Sequence, residues 1–85
     1  MSVYTFGWQC DEAWGKLNLE LSDEEVELIK EAYRDAFSYL EERSELDDIR
    51  ERAVEKLDFY DPELDQDVRI YFPEVITKEV DKEDK

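Results

Sequence analysis

The densest set of candidate ligands in the chain is the acidic run Asp58, Asp61, Glu63, Asp65 and Asp67. Calcium is held by oxygen ligands at alternate loop positions, and numbering from Glu63 places acids at positions 1, 3, 5 and 12 (Glu63, Asp65, Asp67 and Glu74). Such a loop needs glycine at its sixth position for a sharp turn, and Val68 stands there. The Arg-Ile-Tyr-Phe that follows also reads as a strand, so the run reads as a solvated acidic connection. No metal site and no cofactor is expected. Cys10, the single cysteine, has no partner for an internal disulfide; beside Asp11 and Glu12 it reads as a structural residue and not as a reactive thiol.

Charge itself is the second chemistry available. Twenty-six acids against eleven bases leave a net charge of −15, on a chain that is 41% hydrophobic and 13% aromatic. That composition belongs to a folded domain and not to a solvated acidic tail. A contiguous acidic face could enter the basic groove of a nucleic-acid-binding protein and stand in for phosphates. The solvent side of a second helix and the connection after it (Asp48, Glu51, Glu55, Asp58 and Asp61) is the first candidate face. A stripe along a first helix (Glu24, Glu27, Glu31 and Asp35) is the comparison set. Over residues 23–42 eight acids and two bases give about one net charge per 5 Å, against one per about 1.7 Å in duplex DNA. One helix is too dilute to imitate a duplex alone. Trp8 and Trp14 add a candidate anchor around the first loop, because tryptophan is enriched among interface hot spots; their other reading is as core.

Composition excludes much else. Direct nucleic-acid binding needs a basic stripe, and the eleven bases here are scattered and outnumbered. An anionic membrane surface repels the chain, and no apolar run approaches the roughly 20 residues that span a bilayer. With no histidine there is no general base poised near neutrality, no histidine-activated nucleophile and no His-based zinc site. The only glycines, Gly7 and Gly15, make no phosphate loop. No enzyme is expected. The N-terminus lacks the basic start and apolar region of a secretory signal, so cytoplasmic residence is the default expectation.

Elements must position these groups. Tyr4, Phe6 and Trp8 alternate with Val3 and Thr5 over residues 2–8, and Leu17, Leu19 and Leu21 alternate with Asn18 and Glu20, which predicts a hairpin with an oversized loop over 9–15. Ser22 and Glu25 form a capping box, with Leu21 and Val26 at the staple positions. Val26, Ile29, Tyr33, Ala36, Phe37 and Leu40 then carry a helical stripe, with Ala32 beside it, over 23–42. Ser44 and Asp47 resemble a weaker cap for a second stripe, Leu46, Ile49, Ala53, Val54 and Leu57. Two helices are expected, with one long helix over 23–57 as the alternative. Asp61-Pro62 ends the helical region, and Asp67–Phe72 forms a strand that Pro73 terminates or places at an edge. The expectation is an α+β domain, β-β-α-α-β, with a three-stranded, mainly antiparallel sheet and two helices on one face. It occupies residues 1–76, and 77–85 form a charged, frayed tail. The functional expectation is a small acidic, non-enzymatic module that binds a basic protein, most specifically an inhibitor or regulator mimicking nucleic acid. The alternative is an assembly module, a homodimer formed through a sheet edge or the Trp8–Trp14 region.

Overall fold

The computed structural model describes residues 1–61, 63 and 67–83. Strands β1 (Ser2–Cys10) and β2 (Ala13–Leu21) pair antiparallel along their whole length, from Ser2 opposite Leu21 to Cys10 opposite Ala13. The expected loop over 9–15 is therefore paired strand, and only Asp11 and Glu12 turn the chain. Asp11 takes a left-handed φ of 53°. A short aspartate tolerates that conformation, which lets a two-residue turn close without glycine. The alternation holds as expected: Tyr4, Phe6 and Trp8 share a face with Leu17, Leu19 and Leu21, and Phe6 is wholly buried at its centre.

Helix α1 (Asp23–Arg34) begins at the capping box. The Glu25 N–H donates to Ser22 Oγ at 3.2 Å, and the Ser22 N–H donates to Glu25 Oε1 at 2.9 Å. It ends eight residues earlier than the apolar spacing predicts. Ala36 adopts φ 72°, the Phe37 N–H donates to the Ala32 carbonyl and the Ala36 N–H to that of Tyr33, both at 3.0 Å. This is a Schellman stop, usually built on glycine, and no glycine marks it in the sequence. Phe37 and Leu40 still pack on the core, but from a non-helical segment with 3-10 turns at Leu40–Glu42 and Ser44–Leu46. Helix α2 (Asp47–Glu55) follows, so residues 23–57 form two helices and not one.

The second cap does not form. Ser44 lies inside a 3-10 turn, and Leu46, at the cap position of α2, makes no side-chain cap bond. Ser22→Ala is expected to cost about 0.5–2 kcal/mol, the range for losing a helix N-cap, and Ser44→Ala close to nothing. Urea titrations of the two variants check this; a larger loss at Ser44 would contradict the cap assignment.

Strand β3 (Val68–Ile70) adds to the far side of β1, giving the antiparallel order β2-β1-β3 of a small α+β domain. The Tyr71 N–H donates to the Gly7 carbonyl at 2.7 Å, and Tyr71 also bridges to Tyr39. The outer edge of β3 is covered, since the Ile70 N–H meets Glu41 Oε2 and the Phe72 N–H meets the Ser38 carbonyl, each at 3.2 Å. The outer edge of β2 is not. A two-residue hairpin points the N–H and C=O of Trp14, Lys16, Asn18 and Glu20 outward. Among the described residues only the Glu20 carbonyl is met there, by Arg52 at 3.4 Å. Arg52 also bonds the Glu25 carboxylate, tying α2 to the start of α1.

Residues 77–83 are not a frayed tail. They belong to a third helix, α3 (Glu74–Glu83). Pro73 opens it: its carbonyl accepts from the Ile76 and Thr77 N–H groups at 3.1 Å each. Ile76 and Val80 are buried, Lys30 Nζ stands 3.2 Å from Glu79, and Tyr33 Oη donates to Asp81 at 3.2 Å, which docks α3 on α1. A single apolar pair four residues apart is a faint helical signal in so charged a segment. Pro62, Asp65 and residues 84–85, which enter the sequence reading, lie outside the described residues.

Candidate protein-binding surface

Helix α2 buries Ile49, Ala53 and Val54 and presents the opposite side to solvent. At 100° per residue Asp48, Glu51 and Glu55 fall within an arc of about 60° on that side, over about 10 Å of axis. Asp58 follows just beyond the helix. All four are exposed, and none forms an ion pair within the described residues. Asp61 differs: it is half-buried, and its Oδ1 accepts from the Glu63 N–H at 2.9 Å, closing a local turn. The ridge therefore consists of Asp48, Glu51, Glu55 and Asp58, at about one carboxylate per 5 Å along the helix. A single nucleic-acid strand carries one phosphate per about 3.4 Å of axis.

The comparison stripe on α1 is of another kind. Glu24, Glu27, Glu31 and Asp35 are exposed, but three of them are engaged. Arg43, from the segment between the 3-10 turns, reaches Asp35 at 3.2 Å, Glu31 at 3.9 Å and Glu45 at 3.1 Å, and Lys30 stands 3.8 Å from Glu27. The true helix also carries only five acids and two bases, a net of −3 over 12 residues. That is about one net charge per 6 Å, more dilute than the longer expected helix. The clamp by Arg43 was invisible in the sequence, because it depends on the early end of α1 turning the chain back.

The two tryptophans part company. Trp8 lies on the core side, half-buried, its ring 5.1 Å from that of Phe59 and pressed against Gly15. Trp14, one residue off in the pairing, projects from the opposite face and is 77% exposed. No joint Trp8–Trp14 patch exists. What the sequence reading passed over is the open face of the sheet as a whole, where Val3 (62% exposed) accompanies Trp14 and the Val75 side chain (61%) borders it from α3. Its signal was present in the alternation that assigned Val3 and Thr5 to the outer side.

Among the described residues no group of three or more potential ligands is placed to hold a metal ion, and no helix is long and apolar enough to cross a membrane. Glu63, Asp67 and Glu74 are exposed, and Val68–Ile70 pair as strand β3 where the calcium reading needed the turn of a loop. Compared with protein-family models, with curated proteins and with solved structures, the chain has no significant match.

Proposed function

We propose that this chain is a non-enzymatic binding module that offers the α2 ridge to a basic protein, occupying a groove that otherwise takes the phosphates of a nucleic acid. One observation carries the reading. Asp48, Glu51, Glu55 and Asp58 are exposed and unpaired among the described residues, whereas the acids of α1 are largely held by Arg43 and Lys30. Unpaired carboxylates in a row retain the field that steers a cationic partner, and they need not break an internal ion pair on binding. The absence of histidine and of a glycine-rich phosphate loop supports a role without catalysis.

The test is charge reversal. Replacing Asp48, Glu51, Glu55 and Asp58 with lysine is expected to slow association with a basic partner about tenfold or more and to flatten its salt dependence. Glu24→Lys with Glu27→Lys, changes that leave the Arg43 clamp in place, should lower the rate much less. Surface plasmon resonance on the partner recovered by affinity capture measures both. Equal effects from the two sets would defeat the assignment. A partner that binds duplex DNA and this chain at the same time would defeat mimicry.

A further inference from the structure

The open face of the sheet departs from the charge of the rest of the molecule. On a chain of net charge −15 it carries Lys16 and Arg69 against Glu20, with Asp11 and Asp67 beside Arg69 and Glu74 at the rim. Two bases against four acids leave the face far less acidic than the helices. Its apolar and aromatic groups lie in two places. Trp14 stands near the turn, and a groove of about 600 Å³ opens toward the other end of the strands, lined by Val3, Thr5, Gly7, Lys16, Tyr71 and Val75. Trp14 pairs with Gln9, and Val3 with Glu20, so six strand residues, about 20 Å, separate the two. Gly7 forms the groove floor because it has no side chain. The groove is within the about 300–1,000 Å³ of pockets that enclose drug-sized groups, so an indole can enter it.

We infer that the occupant of this face is a second copy of the same chain, each Trp14 seated in the other copy's Val3–Val75 groove. The face carries both halves of the contact, projecting ring and receiving groove. One two-fold axis lying between two facing sheets exchanges them, as an isologous interface requires. Charge selects the same arrangement. Two chains of −15 repel most through their acidic helices and least across this weakly charged face, where Lys16 and Arg69 are available to Glu20 and Glu74 across the axis. Two nine-residue strands and the three-residue β3, about 4.8 Å apart, give a flat footprint on the order of 300 Å², below the about 800 Å² per partner of a standard interface. The dimer is therefore weak, forming at micromolar concentration or above.

Sedimentation equilibrium from about 1 µM to 1 mM tests the inference. The expected result is a shift from 10.2 kDa toward twice that mass, strengthened by added salt, because screening weakens the repulsion between the helices. Trp14→Ser removes an exposed ring and should lower the association constant at least tenfold with little change in melting temperature. Gly7→Val fills the groove and should do the same. A Cβ at Gly7 would stand 3.7 Å from Tyr71 Cδ2, an ordinary contact, and valine suits a strand. A wild-type chain that stays at 10.2 kDa throughout would overturn the inference. So would a dimer that salt dissociates, or one that both variants form as readily as the wild type. The ridge on α2 is untouched by these variants, and its binding weakens with salt where the dimer strengthens, so the two readings fail separately.

Discussion

A chain ending at Pro73 is expected to lose most of its stability, although most of the residues removed, 77–85, read as a charged, frayed tail. The deletion takes away α3 and with it Ile76 and Val80, both buried against the rest of the core. Each such side chain contributes about 1.5–3 kcal/mol when fully buried, so the loss is about 3–6 kcal/mol before any exposure of the surface beneath. At roughly 0.05–0.15 kcal/mol per residue a domain of this size has about 4–13 kcal/mol in all. The shortened chain should therefore be largely unfolded at 37 °C by circular dichroism. A chain ending at Val80 retains both apolar anchors and, among the described residues, gives up the exposed Asp81 contact to Tyr33 and the last turn of α3, so it should melt within a few degrees of the full chain. If the two truncations behave alike and both stay folded, α3 does not belong to the cooperative unit.

The second large effect is expected at Gly15. It lies opposite Trp8 in the hairpin, and a Cβ built there would stand 2.8 Å from Cζ2 and 2.9 Å from Cε2 of the indole. Gly15→Val should cost about 1–3 kcal/mol, the range for overpacking a well-fitted site. The ring must swing away, which also disturbs its contact with Phe59. Tryptophan fluorescence separates this from a general loss of order. Trp14 is already solvated, so a red shift in the folded variant reports Trp8. Gly7, eight residues earlier in the chain, has room for a Cβ, and its alanine variant is the control. Equal stability of Gly15→Val and the wild type would mean that Trp8 is not held over the glycine.

The hairpin faces, the capping box and the separation of two helical stripes were legible because each rests on local rules: strand alternation, an N-cap with its partner three residues on, and 3.6-residue spacing. Two of the points that were not legible share one physical cause. Asp11 and Ala36 adopt left-handed backbone without being glycine, so the turn of the hairpin and the end of α1 carried no mark in the sequence. Apolar spacing ran straight through the second of these, because Phe37 and Leu40 are core residues whether or not they are helical. The same effect reshaped the candidate site. The acids of α2 stood where their spacing placed them, while those of α1 met Arg43, a partner supplied only by the premature stop. Helix α3 was missed because its burial depends on two residues and on a docking surface that exists only once α1 is in place.

The bare outer edge of β2 bears on how this protein remains dispersed. Trp14, Lys16 and Asn18 hold out backbone donors and acceptors that any extended chain could take up, a template for open-ended strand addition. Proteins usually blunt such an edge with a bulge, a proline or a covering loop, as the chain around Ser38 and Glu41 does for β3. For β2 the strand itself supplies two charges, Lys16 and Glu20, and the guard is chiefly diffuse: the field of the entire molecule keeps copies apart before their edges can meet. Acidity here thus acts as a kinetic barrier to polymerisation. Near the isoelectric point, about pH 4.2, the net charge vanishes, and that barrier is lost while the template stays intact.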